Sequence, residues 1–275
     1  MNAMIKDIVV KLSPAAFDHA GAYAIALASA FEAHLSGIAF AYEPEILPEP
    51  SGPGSRRFLR IREENEQAAA AAAAQFEKQA GDAGVAASVR AVTTTVSGGY
   101  DLFGHMARRF DLAVVGQDDP DKEQSEGLVA EGALFESGRP LIMVPYIHKD
   151  GLKLDRVMVS WDGSRPAARA VADAMPILTR AGQVDVVIVE RTKSDEMPGA
   201  DVAEHLARHD LNVTVQRIAR GDLAVKDALL NYAADSAADM VVMGGFGHSR
   251  MREFILGGVT RGMLASMTLP TLLSH

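Results

Sequence analysis

Short runs of β-branched and other apolar residues recur along the chain, separated by stretches with helical spacing. In the first half, "DIVVKL" (Asp7–Leu12), "LSGIAF" (Leu35–Phe40), "ASVRAVT" (Ala87–Thr93), "DLAVVGQ" (Asp111–Gln117) and "PLIMVPY" (Pro140–Tyr146) read as strands. "AAFDHAGAYAIALASAFEAH", "GYDLFGHMARRF" and "EGALFES" read as helices between them. Buried apolar runs alternating with amphipathic helices predict βαβ units around a parallel sheet.

The second half repeats the order. "RVMVSW" (Arg156–Trp161), "VDVVIVE" (Val184–Glu190), "NVTVQRIA" and "DMVVMGG" (Asp239–Gly245) read as strands, with "PTLLSH" as the last. "SRPAARAVADAMPILTR", "DVAEHLARH", "DLAVKDALLNYAADSAA" and "TRGMLASM" read as helices. The repeat keeps a register. Val10 and Val159 stand 149 apart, as do Phe40 and Val189, whereas Asp111 and Asp239 stand 128 apart and Pro140 and Pro270 130 apart. Two homologous halves are therefore expected, 1–148 and 149–275, joined near "YIHKDGLKLD". An insertion lengthens the first half. Its "PEILPEPSGPGSRR" reads as a Pro/Gly loop, and "EENEQAAAAAAAQFEKQA" as a strong helix covering the sheet edge.

Composition narrows the function classes. At 48% hydrophobic and 23% charged residues the chain is expected to be globular. No apolar run reaches the ~18 residues of a membrane span, and "MNAMIKDIVVKLS" is not read as a signal peptide, so the expectation is cytoplasmic with no membrane partner. The absence of Cys removes thiol nucleophiles, disulfides and Cys-ligated zinc. A formal net charge of -9 argues against a nucleic-acid partner, but not against one small anion in a local pocket.

The stretch "GGFGHSRMREFILGG" (Gly244–Gly258) follows the fourth strand of the second half. Ligands of open α/β sheets sit at the carboxyl ends of strands, and backbone N–H groups at helix starts attract anions. Gly244, Gly245 and Gly247, then Gly257 and Gly258, permit close approach to such amides, with His248, Ser249, Arg250 and Thr260 nearby. Taken alone, the segment has two readings, a phosphate cradle or a set of turns and caps. It is not a Walker A loop, since no Gly-Lys-Ser/Thr follows, and not the dinucleotide fingerprint, which belongs after a first strand.

Gly244-x2-Gly247-x9-Gly257 resembles the nucleotide-binding pattern of universal stress proteins, G-x2-G-x9-G-(S/T), and nearly the whole chain follows the repeat. The resemblance implies two open, parallel, five-stranded α/β domains of the adenine-nucleotide hydrolase-like kind. It implies an adenine nucleotide (ATP, ADP or AMP, with or without magnesium) in the second half. Asp162 would meet ribose or adenine, Val189 would meet adenine through its backbone, and Gly244, Gly247, Gly257, Gly258 and Val259 would line the phosphates. It also implies that "PLIMVPY" and "PTLLSH" pair, making the chain its own pseudo-dimer, with further pairing into a homodimer a second expectation. One departure stands out: Gly258 occupies the Ser/Thr position, removing a hydroxyl whose hydrogen bond would contribute about 0.5–1.5 kcal/mol, or up to ~3 to a charged partner.

The corresponding first-half segment is "QDDPDKEQSEG", where Asp118, Asp119, Asp121, Glu123 and Glu126 would repel a polyphosphate, and Ser13 stands where the second half has Asp162. One nucleotide per chain is therefore expected. No catalytic residue or metal ligand is assigned. "SGGYD" (Ser97–Asp101) reads as a turn and helix start, His205 and His209 as one solvated helix face, and Ser164 as a helix cap with Pro166 in the first turn. Trp161 reads as packing at a strand end. The expected role is a non-enzymatic stress protein that holds a nucleotide and acts through partner contacts. A ligand-free interaction module is the alternative, favoured by Gly258 and the acidic first-half loop.

Overall fold

The structure, a computed structural model, describes residues 4–14, 17–44, 53–121, 126–190, 200–219, 221–245 and 259–275. By contact the chain forms two compact units, Ile5–Arg139 and Pro140–His275, the latter together with Met4.

The first unit runs β1 (Asp7–Leu12), α1 (His19–Phe31), β2 (His34–Tyr42), α2 (Pro53–Asp82), β3 (Ala87–Thr94), α3 (Val96–Ala107), β4 (Leu112–Gly116) and α4 (Glu126–Glu136). All strand pairings within it are parallel, in the order β3-β2-β1-β4. The inner strands carry the apolar run that a sheet covered on both faces demands: β1 buries Ile8, Val9, Val10 and Leu12 to within 1% exposure, whereas the edge strand β3 buries none of its residues. The insertion helix α2 packs on β2 and β3, as expected of the Ala-rich segment. Its Phe76 lies over Gly37, where an added Cβ would meet the ring at 2.8 Å, so the glycine is what lets the helix sit down on β2.

The second unit runs β5 (Leu141–Val144), β6 (Arg156–Ser160), α5 (Arg165–Leu178), β7 (Gln183–Glu190), α6 (Ala200–Ala207), β8 (Val213–Ala219), α7 (Val225–Asp235), β9 (Met240–Gly244), α8 (Val259–Ser266) and β10 (Thr271–Ser274). Strands β10, β9, β6, β7 and β8 are parallel neighbours in that order. β5 adds to β10 antiparallel, with Ile142 opposite Leu272. The expected pairing of "PLIMVPY" with "PTLLSH" is thus present, and β5 groups by contact with the second unit.

The sequence offsets recur in strand register. Val10 stands beside Val114 on β4, and Val159 beside Val242 on β9, so the 149- and 128-residue offsets both hold. Asp111 accepts from the Lys6 and Asp7 amides, and Asp239, its counterpart, accepts from the Arg156 amide.

The foot of the second unit's sheet holds a polar network. Asp185 is fully buried in β7 and accepts from Thr214 Oγ1 (2.7 Å), Arg156 Nη1 (2.7 Å), Tyr232 Oη (3.0 Å) and Gln183 Nε2 (3.2 Å). Burial raises its pKa, but these four donors outweigh burial and hold the carboxyl below its usual range. Burial and the same carboxylate push the Tyr232 phenol up to about 12.

Candidate functional site

In the second unit, β6 lies between β7 and β9. The chain leaves β6 toward β7 on one side and returns through β9 on the other, which makes a topological switch point at their carboxyl ends. Three of the expected ligand positions stand at these ends. Asp162 follows β6, Val189 is the penultimate residue of β7 and Gly244 closes β9.

Asp162 is exposed and sits in a tight turn. Its Oδ1 accepts from the Ser164 amide at 2.9 Å, and Gly163 takes a φ of +73°, a conformation suited to glycine. Ser164 then caps α5, its hydroxyl accepting from the Ala167 amide at 3.3 Å, with Pro166 in the first turn as the sequence indicates. Half-buried Trp161 donates its backbone N–H to the Val187 carbonyl, binding the β6 exit to β7. Val189 is half-buried and pairs with Ile218 on β8.

Gly244 is where the structure adds a reason. A Cβ there would lie 2.5 Å from the Ala167 nitrogen and 2.6 Å from the Pro166 carbonyl carbon. The first glycine of the motif therefore lets the α5 N-terminus close onto the end of β9, bringing the Asp162 turn beside the start of the glycine segment. Gly245 donates to the Ser274 carbonyl at 2.8 Å, and its own carbonyl meets His275 Nδ1 at 3.1 Å. Ser274, opposite Gly244 in register, keeps a buried hydroxyl that has no partner among the described residues.

Val259 is half-buried and Thr260 buried in the first turn of α8. Gly247, His248, Ser249, Arg250, Gly257 and Gly258 lie outside the described residues. Of the motifs set aside, "SGGYD" is the first turn of α3, capped by Thr95, whose side chain accepts from the Gly98 amide. His205 and His209 are exposed, their rings 5.0 Å apart edge to face. No cluster of three metal-ligating side chains occurs among the described residues. None of the helices described is long and apolar enough to cross a membrane.

The equivalent switch point of the first unit, between β1 and β4, is built differently. Lys11 on β1 is 2% exposed and pairs with the Glu126 carboxylate at the start of α4. Its Nζ also stands 5.9 Å over the Tyr42 ring. Asp18 caps α1, accepting from the Gly21 amide at 3.0 Å and the Ser13 amide at 3.1 Å. Asp118 accepts from the Glu126 amide at 2.8 Å through Oδ1 and from the Gly127 amide at 2.9 Å through Oδ2. Burial pushes the carboxyls of Glu126 and Asp18 up, against the pull of Lys11. For Lys11, burial works to lower the pKa, and the facing groups, Glu126 first, raise it above the usual lysine value. The acidity of Asp118 and Glu126 is legible in sequence as repulsion. The contact with Lys11 is not, although a lysine inside the apolar run "DIVVKL" is its one signal.

A family model described as "Universal stress protein family" matches residues 153–275. Universal stress protein Slr1230 of Synechocystis sp. is 23% identical over 170 residues, which is 59% of this chain. The chain spans 57% of that relative's length. Among solved structures, a universal stress protein from Archaeoglobus fulgidus DSM 4304 superposes with a TM-score of 0.74 at 15% identity, covering 98% of this chain and 96% of its own. A functionally unknown protein from Pseudomonas aeruginosa PAO1 superposes with a TM-score of 0.63 at 11% identity, covering 98% and 92%. At such identities the structural likeness speaks for the fold.

Proposed function

We propose that the chain, whose residues 153–275 match the universal stress protein family, is a stress-response protein and that its C-terminal half binds one adenine nucleotide at the β6/β9 switch point. The observation that carries this reading is the convergence of Asp162, Val189 and Gly244 at the carboxyl ends of three adjacent strands, where the Gly244-x2-Gly247-x9-Gly257 segment departs. In this reading Asp162 meets the ribose or adenine, and the Val189 backbone meets adenine. Gly244, Gly247, Gly257, Gly258 and Val259 offer amides to the phosphates, with His248, Ser249, Arg250 and Thr260 around them. ATP is the preferred ligand, ADP and AMP the alternatives, and magnesium would accompany the polyphosphate.

The protein acts by holding the nucleotide and changing its partner contacts, not by catalysis, since no acid, base or nucleophile is assigned to hydrolysis. The halves 1–148 and 149–275 are successive universal stress repeats in the cytoplasm. The β5–β10 pairing supports the pseudo-dimer, and a homodimer of chains extends the same scheme.

Gly244 favours a second reading, a ligand-free interaction module, because its bareness already has a packing cause in α5. Assaying nucleotide released by heat from the purified full chain, with thermal shifts in ATP and magnesium, separates the two. Adenine nucleotide near one equivalent supports binding. Nucleotide-free protein with no shift supports the module.

A further inference from the structure

An acid, an imidazole and a hydroxyl are joined at the amino ends of β1, β2 and β3. His34 Nδ1 meets Asp7 Oδ1 at 3.1 Å, and His34 Nε2 meets Ser88 Oγ at 3.1 Å. Strand register dictates the arrangement. Asp7 is the parallel partner of His34, and Ser88 is the partner of Ser36, two residues on from His34 and so on the same face. This is the end of the first unit's sheet away from its β1/β4 switch point.

The chemistry fixes the protons. A carboxylate only accepts, so Nδ1 of the neutral imidazole carries the proton and donates it to Asp7. Nε2 is left as an acceptor, and the Ser88 hydroxyl donates to it. A hydroxyl donating to an imidazole whose other nitrogen is held by an acid is the arrangement that activates a serine. His34 and Asp7 keep 42% and 43% of their side chains exposed, and Ser88 is exposed, so the hydroxyl can be reached from solution.

The second repeat supplies a comparison. By the 149-residue offset Asp7 and His34 correspond to Arg156 and Gln183, and by strand register Ser88 corresponds to Thr214. Gln183 Nε2 donates to Thr214 Oγ1 at 3.1 Å, so both units set a polar side chain against a hydroxyl at this place. The fold thus needs no imidazole there. Only the first unit has a base at this position, with an acid behind it.

We propose that Ser88 is a nucleophile activated by His34, with Asp7 as the positioning residue, and that it hydrolyses small activated acyl esters. Ser88 Oγ attacks the carbonyl carbon and passes its proton to Nε2; the alcohol or phenol departs with that proton, leaving an acyl-serine. Water then adds to the acyl carbon, giving its proton to Nε2, and the carboxylic acid leaves as Ser88 regains a hydrogen. Arg90, next on the same face of β3 and exposed, offers its guanidinium to the oxyanion. Because the relay lies open to water, the ester must bring a good leaving group of its own, which sets the substrate class. This activity is separate from holding a nucleotide and involves no nucleotide hydrolysis.

The test treats the full chain with a fluorophosphonate ester, whose phosphorus takes the Ser88 oxygen as fluoride leaves, and maps the adduct by mass spectrometry. Hydrolysis of p-nitrophenyl acetate is followed alongside. The label is expected on Ser88, and Ser88→Ala and His34→Gln are each expected to lose both label and hydrolysis. Asp7→Asn sets a donor against Nδ1 and leaves the proton on Nε2, so it should slow labelling, while Asp7→Glu should recover it. A thiol readout separates activation from a merely structural hydrogen bond. The chain has no Cys, so Ser88→Cys carries its only thiol. Iodoacetamide should alkylate that thiol at least about tenfold faster than in Ser88→Cys combined with His34→Gln, because an imidazole partner lowers a thiol pKa. Equal alkylation rates overturn the proposal, as does a wild type labelled elsewhere or not at all. Labelling of the wild type needs no substitution, so it decides the matter even where a variant fails to fold.

Discussion

An ideal Cβ on Gly244 would lie 2.5 Å from the backbone nitrogen of Ala167, so the end of β9 and the first turn of α5 touch through a missing side chain. At Gly116, the counterpart in the first repeat, the same atom would meet only the Ala20 Cβ, at 3.7 Å. Gly244→Ala must therefore move backbone, and is expected to cost about 1–3 kcal/mol. Gly116→Ala should fall within about 0.5 kcal/mol of wild type. Denaturant unfolding of the nucleotide-free variants measures both. Equal effects would show that the α5–β9 contact is not as tight as described.

The Lys11–Glu126 pair makes a second case. Lys11→Met alone leaves a buried carboxylate without its cation, and breaking such a pair costs about 3–5 kcal/mol at neutral pH. Lys11→Met with Glu126→Met removes both charges and should recover most of that loss. In the single variant the Glu126 pKa rises further above its unfolded value. A raised carboxyl pKa destabilises where the unfolded chain is ionised and the folded one resists ionisation. The penalty should therefore shrink as pH falls through the folded pKa toward about 4.3, the unfolded value. Melting temperature against pH tests the sign. A penalty that grows in acid would contradict it.

Asp185 should behave in the opposite sense. Its four donors hold the folded pKa below the unfolded value of about 3.9. The stability they contribute is present above that unfolded value and is lost as pH falls through the folded one. Asp185→Asn removes the titration. The wild type should thus lose melting temperature more steeply than the variant below about pH 4, and parallel curves would count against the network.

Gly258 is where the family pattern has Ser or Thr. If the glycine segment receives phosphate, Gly258→Ser restores one hydroxyl donor. A net hydrogen bond of about 0.5–1.5 kcal/mol corresponds to ATP binding about 2–12-fold tighter. Unchanged affinity in a folded variant would place the hydroxyl away from the phosphates.

Much of the fold is written in the sequence because parallel strands buried on both faces read as uninterrupted apolar runs, and "DIVVKL", "DLAVVG" and "DMVVMG" each became a strand within a residue or two. The Ser164 cap with Pro166 in the first turn is equally plain, since each has one local job; the Asp162–Gly163 turn is not read from the sequence. What stayed hidden depends on contacts distant in sequence. Gly244 read as room for a ligand, yet its neighbour is a helix start 77 residues earlier in the chain. Lys11 and Glu126 are 115 residues apart, and neither alone announces the other. Asp185, inside an apolar strand, draws donors from β6, β8 and α7 that only the folded sheet gathers.

Titrating the full chain, freed of nucleotide, with ATP and magnesium addresses the central claim most directly. The account predicts one site per chain, seated in the second repeat. No heat with ATP, ADP or AMP, or two equivalent sites in the wild type, would contradict it.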